Sequence, residues 1–63
     1  MQTEFSIKQE AQTGLDDINT AVVYVERAIR HARSIGREDV VRALWRLSVK
    51  LSVQYNELAS DAS

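Results

Sequence analysis

The chain has 63 residues, no cysteine, no proline and a net charge of −1 at pH 7. At this length a single domain has too little core to be comfortably stable as a monomer, and without cysteine neither a disulfide nor a thiolate metal site can replace the missing packing. The near-zero net charge argues against a uniformly basic coat for nucleic acid.

Neither a membrane span nor a targeting segment is predicted. No run of about 18 apolar residues is present, and the amino-terminal residues lack the basic start and apolar centre of a signal peptide. We therefore expect a soluble, cytoplasmic protein that does not bind membranes.

The first predicted element is a long amphipathic helix at about residues 7–34. Its apolar seam alternates steps of three and four residues, as one helix face requires. The seam comprises Ala11, Leu15, Ile18, Val22, Val25, Ile29 and Ala32. The seam also crosses residues 13–20, TGLDDINT, without a change of phase. The stretch is therefore predicted to continue the helix, with its polar residues Asp16, Asp17, Asn19 and Thr20 on the solvent-exposed face.

Two starts are open for this helix. Ser6 with Gln9 is typical of a capping box at its beginning, and Thr13 with Asp16 is typical of a later one. The sequence leaves undecided whether residues 1–12 are helical or frayed.

A turn at about residues 35–37 separates this helix from a second at about residues 38–60. Gly36 suits the left-handed position that follows a helix, and Glu38 with Asp39 suits the first turn of the next helix. The predicted second seam comprises Val40, Val41, Leu44, Leu47, Leu51, Tyr55, Leu58 and Ala62. The predicted fold class is all-α, with one domain over residues 1–63 that forms an antiparallel two-helix hairpin.

Apolar and small residues outside the seams predict contacts beyond the hairpin. One set, the Trp45 stripe, recurs every four residues and comprises Trp45, Val49 and Val53. The other set, the small-residue flank, recurs every seven residues and comprises Gly14, Ala21 and Ala28. The stripe points away from the seam of helix 2, and the flank would let another helix approach closely.

We expect a two-fold homodimer that forms a four-helix bundle, because both sets need a partner surface. The sequence leaves open whether the Trp45 stripe binds the second copy or another protein, and how the subunits are oriented. In size and layout the predicted hairpin resembles the plasmid copy-number regulators of the Rop type. No motif residue is matched, so the resemblance implies no functional residue.

No residue pattern indicates catalysis, a cofactor or a metal. The single histidine, His31, is predicted on the outer face of helix 1, and Asp16 and Asp17 project about 100° apart on a helix, which prevents them from gripping one ion together. Phosphate loops, catalytic triads and zinc spacings are absent. The chain is therefore predicted not to be an enzyme.

Charge is distributed unevenly along the chain. Residues 1–26 carry one lysine against five carboxylates, whereas residues 27–50 carry seven basic residues against two carboxylates. The predicted basic patch at the turn end comprises Arg27, Arg30, Arg33, Arg37, Arg42 and Arg46. It would steer antiparallel assembly of two hairpins, bind an acidic protein, or bind nucleic-acid phosphates.

The functional prediction is a small non-enzymatic interaction module, an adaptor or regulator that self-associates and binds a protein partner through exposed helix faces. The alternative is a nucleic-acid-binding regulator that uses the arginine cluster at the turn end.

Overall fold

The computed structural model describes residues 3–63 as two packed α-helices. Helix α1 spans Glu4–Ser34 and helix α2 spans Glu38–Ala62, with residues 35–37 between them. Gly14 of α1 lies against Leu58 of α2, and Ile29 clusters with Val41, so the helices run antiparallel. The predicted all-helical hairpin is confirmed, and it measures 49 × 17 × 15 Å.

Helix α1 begins earlier than predicted, because Thr3 provides its amino-terminal cap. Thr3 has extended backbone angles, and its Oγ1 accepts a hydrogen bond from the Ser6 backbone N–H at 3.2 Å. Ser6 is therefore inside the first turn, and the prediction that it caps the helix is wrong. The sequence left open whether residues 1–12 are helical or frayed. Residues 4–12 are helical, and residues 1 and 2 lie outside the described residues.

The stretch TGLDDINT is helical throughout. The hydroxyl of Thr13 donates to the Gln9 carbonyl oxygen at 3.1 Å, and that of Thr20 donates to the Asp16 carbonyl oxygen at 3.1 Å. Both hydroxyls bond a carbonyl one turn back and do not cap a helix start. The helix is continuous, as the unbroken seam predicted.

A left-handed glycine ends α1. Gly36 has φ +75°, its N–H donates to the Arg33 carbonyl oxygen at 3.1 Å, and the Arg37 N–H donates to the Ala32 carbonyl oxygen at 2.9 Å. This pair of bonds is a Schellman motif, which satisfies carbonyls left over at the helix end. Helix α2 starts at once, because the Val41 N–H donates to the Arg37 carbonyl oxygen at 3.1 Å.

The core between the helices is thin. The buried residues of the described chain are Ala11, Leu15, Ile29, Ala32 and Val41. Three of them form a cluster next to the turn, and none has a side chain that is completely enclosed. The hairpin therefore covers its apolar seams only in part.

The prediction is wrong for one residue of the second seam. Leu47 is 43% exposed, whereas Ser48 is half-buried. From Leu44 a step of three reaches Leu47 and a step of four reaches Ser48. The step of three from Val41 to Leu44 has to be followed by a step of four to keep the seam straight along the partner helix, so packing places Ser48 in the seam despite its polarity.

Candidate interaction surfaces

Two clefts lie along one face of the hairpin, which we call the groove face. The turn-end cleft, of about 240 Å³, is lined by Glu26, Ile29, Arg30, Arg33, Trp45 and Ser48. The middle cleft, of about 230 Å³, is lined by Ile18, Asn19, Val22, Ser52, Tyr55 and Asn56. Both helices contribute to each cleft, so the groove between them forms the floor.

The two clefts repeat the same helix positions one heptad apart. On α1, Asn19 and Val22 of the middle cleft lie seven residues before Glu26 and Ile29 of the turn-end cleft. On α2, Tyr55 of the middle cleft lies seven residues after Ser48 of the turn-end cleft. Seven residues of helix correspond to about 10.5 Å along its axis. The groove therefore has two similar hollows at a regular spacing, and sequence reasoning did not single out Glu26 or Ser48 as part of it.

The Trp45 stripe starts at the groove and leaves it. Trp45 forms part of the wall of the turn-end cleft and is 53% exposed. Val49 and Val53 are 59% and 49% exposed. Since each step of four residues rotates by about 40° around a helix, Val53 lies on the outer surface of α2 and only Trp45 lines the groove.

The small-residue flank lies on the opposite face, which we call the reverse face. Rotation of about 100° per residue places Ala21 and Ala28 on the flank of α1 opposite Asn19 and Glu26. Ala21 and Ala28 are half-buried, and the exposed Leu47 lies beside them on the same face of the hairpin. The two predicted interface sets therefore do not form one surface.

Gly14 lies at a close contact between the two helices of the hairpin. A Cβ atom at this position would lie 2.7 Å from Leu58 Cδ2, closer than carbon atoms pack. The missing side chain thus makes room for α2 of the same chain. This intramolecular contact accounts for a glycine in the middle of a helix, where it costs about 1 kcal/mol relative to alanine.

The arginines of the basic patch share one end of the molecule but not one face. Arg30 and Arg33 line the turn-end cleft. Helical rotation of about 100° per residue places Arg27, Arg42 and Arg46 on the outer surfaces of the two helices. The patch therefore wraps around the turn end.

The ion pairing of these arginines is sparse. Within residues 3–63, the one ion pair joins Arg37 to Asp39, with hydrogen bonds of 3.1 Å from Nε and 3.0 Å from Nη2. This hydrogen bonding lowers the pKa of the Asp39 carboxyl and raises the pKa of Arg37. Arg27 lies over the Tyr24 ring, 5.6 Å from its centroid. Arg30 and Arg33 have no carboxylate at ion-pair distance.

Other candidate groups are exposed and dispersed. His31, Asp16 and Asp17 are all exposed, and no group of three or more His, Cys, Asp or Glu side chains in residues 3–63 could hold a metal ion. In the same part of the chain, neither helix has a stretch long and apolar enough to cross a bilayer.

No family model, curated protein or solved structure matches this chain. The two faces of the hairpin differ in chemistry. The groove face combines two clefts of mixed apolar and polar lining with two guanidinium groups that have no ion-pair partner within residues 3–63, and the reverse face combines small side chains with Leu47.

Proposed function

We propose that this chain is a small non-enzymatic interaction module, an adaptor or regulator that associates with a second copy of itself and binds a protein partner through its exposed helix faces. The supporting observation is its surface area of 4998 Å² at a mass of 7.1 kDa. A compact monomer of this mass is expected to expose about 4,100 Å². The excess of about 900 Å² is close to the roughly 800 Å² that one partner contributes to a standard protein interface.

Much of this surface is apolar. Large apolar side chains with 43–75% of their surface exposed are Phe5, Ile7, Val23, Tyr24, Ile35, Trp45, Leu47, Val49 and Val53. Single exposed apolar residues are normal on a protein surface, but contiguous groups mark contact sites. Association would cover this surface and add to the thin core of the hairpin.

We assign the second copy to the reverse face and the protein partner to the groove face. Ala21 and Ala28 would let a helix of the second copy approach closely, and Leu47 would fill the space beside them. The product is a four-helix bundle in which each subunit keeps its groove face open. Both contacts are compatible at once because they use opposite sides of the hairpin.

Sedimentation velocity at micromolar concentration tests self-association. The unmodified chain should sediment as a dimer, and Ala28→Gln should weaken the dimer by about 5- to 150-fold, because overpacking a close contact costs about 1–3 kcal/mol. Thr20→Gln is the matched control, since Thr20 is exposed on the outer surface of α1. A well-folded monomer would overturn the dimer.

The same experiment on Trp45→Ala tests the assignment of faces. This variant should remain dimeric with unchanged helix content, because Trp45 lies on the groove face. Dissociation of the Trp45→Ala dimer would exchange the roles of the two faces.

The second candidate function is nucleic-acid binding by the arginine cluster. Its support is that, among residues 3–63, no carboxylate lies at ion-pair distance from Arg30, Arg33, Arg42 or Arg46. Their spread around the turn end favours the protein-binding proposal, since a phosphate backbone is best bound by one continuous basic face. A salt titration separates the two, because phosphate binding weakens linearly with log salt, and absence of RNA and DNA binding at about 50 mM salt would remove this candidate.

A further inference from the structure

We propose that the groove face binds an acidic amphipathic helix of a partner protein, which inserts one apolar residue into each cleft and sets carboxylates against Arg30 and Arg33. This inference builds on the proposed function and names the chemistry of the partner.

The spacing of the clefts indicates a helix as the occupant. The clefts lie seven residues, or about 10.5 Å, apart along α1 and α2. On a docking helix, residues i and i+7 lie on the same face with the same separation. Two apolar residues one heptad apart would therefore enter both clefts together, as knobs enter holes in a coiled coil.

The rim of the turn-end cleft indicates negative charge on the occupant. Arg30 and Arg33 contribute two guanidinium groups to the lining against the single carboxylate of Glu26, and neither arginine has an ion-pair partner in the part of the chain that the structure describes. Covering these groups with a purely apolar helix would remove water from unpaired charges, which is costly. Carboxylates on the docking helix would replace that water with charge-assisted hydrogen bonds.

The middle cleft has a different rim and thereby sets the direction of binding. Its polar lining consists of Asn19, Ser52, Asn56 and the Tyr55 hydroxyl, with no arginine, lysine or carboxylate among them. A helix with carboxylates beside only one of its two apolar anchors would thus bind in one orientation. The reversed orientation would leave Arg30 and Arg33 without partners.

A second copy of this chain fits the groove less well. Helical rotation of about 100° per residue places the carboxylates of Glu10, Asp17 and Asp61 on the reverse side of the hairpin and that of Glu57 on its outer surface. Glu26 and Glu38 lie on the groove face, but both are close to the turn end, so antiparallel packing of two copies would set them far from the partner's arginines. A copy that packed groove to groove would bring few of its own carboxylates to the arginine rim. Charge complementarity therefore favours a different, acidic chain.

Titration with synthetic peptides tests this proposal. The probe is a tryptophan-free peptide of about 20 residues, a length at which a helix begins to be stable, with leucines at i and i+7 and glutamates beside the first leucine. Trp45 is the sole tryptophan and lies in the turn-end cleft, so its emission reports occupancy directly. We expect a saturable blue shift of the emission as the peptide covers the indole.

Charge reversal in the rim provides the decisive comparison. The double variant Arg30→Glu with Arg33→Glu should bind the glutamate peptide at least tenfold more weakly and should gain affinity for the same peptide with lysines in place of the glutamates. Arg42→Glu is the matched control, because Arg42 is exposed and does not line either cleft. This control should bind the glutamate peptide within about twofold of the unmodified chain.

A second peptide tests the two-cleft geometry. Moving the second leucine from i+7 to i+5 places it about 140° around the helix from the first, so it would no longer reach the middle cleft. Affinity should fall at least tenfold. Equal binding of the two peptides would overturn the proposed geometry.

Four other results would overturn the proposal. Two concern charge: equal binding of the lysine peptide by the unmodified chain, and no effect of the charge reversal. The other two concern a different occupant: an emission shift that follows protein concentration alone, which would mark a second copy in the groove, and displacement of the peptide by a single-stranded oligonucleotide. Sedimentation distinguishes this failure from that of the proposed function. A dimer that leaves the glutamate peptide unbound would keep self-association and lose the acidic partner.

Discussion

Replacing Gly36 by L-alanine and by D-alanine tests the left-handed cap that joins the two helices. Gly36 has φ +75°, and a Cβ atom at this position would meet nothing within 4 Å. Any effect of the L-alanine substitution therefore comes from the backbone conformation and not from a steric clash. The chain is short enough for total chemical synthesis, which makes the D-amino acid accessible.

The expected magnitudes follow from backbone energetics. An L-residue in the left-handed region costs about 1–2 kcal/mol, while replacing glycine reduces the freedom of the unfolded chain and returns about 0.4–1 kcal/mol. L-alanine should thus destabilise the fold by up to about 1.5 kcal/mol, with a central value near 1 kcal/mol. D-alanine favours positive φ and should stabilise the fold by about 0.4–1 kcal/mol.

Thermal unfolding followed by circular dichroism measures the difference. One kcal/mol corresponds to about 4–8 °C for a domain of this size, so the D-alanine variant should melt about 4–16 °C above the L-alanine variant. Both have to be compared at one protein concentration, because association adds to apparent stability. Equal melting temperatures of the two variants would refute the left-handed cap.

Three further predictions concern other local features. Thr3→Ala removes the helix cap, which is worth about 1 kcal/mol, so amide exchange in the first turn of α1 should speed up about fivefold, and unchanged rates would contradict the cap. Gly14→Ala gains about 1 kcal/mol of helix propensity but displaces Leu58 Cδ2 at about 0.5–1.5 kcal/mol. Chemical denaturation should therefore show a net change within about 0.5 kcal/mol of zero, and the full alanine gain of about 1 kcal/mol would mean that Leu58 moves freely. The pKa of Asp39 is lowered in the fold, so its contribution to stability is present above its unfolded pKa and is lost as pH falls through the folded pKa. Arg37→Ala should return the pKa of Asp39 towards its ordinary value in a carboxyl NMR titration, and an unchanged pKa would contradict the ion pair.

The small-residue flank shows how far the sequence alone could predict the candidate sites. Its heptad spacing places Ala21 and Ala28 on one side of α1, and the Trp45 stripe is equally visible in the sequence of α2. Which flanks of the two helices lie on the same face of the hairpin depends on the right-handed rotation of each helix and on whether the helices run parallel or antiparallel. Antiparallel packing puts Trp45 on the groove face and the alanines on the reverse face, so the two sets are separated although each is visible as a pattern in the sequence.

Local signals sufficed for the helices and the turn. The uninterrupted alternation of three and four residues carries α1 through TGLDDINT, and Gly36 ends it, because helix periodicity and left-handed backbone angles are properties of short segments. The choice of Ser48 over Leu47 in the seam and the use of Gly14 by Leu58 were decided only by the tertiary structure. Both depend on the exact register and distance between α1 and α2, which arise from contacts between residues far apart in the sequence.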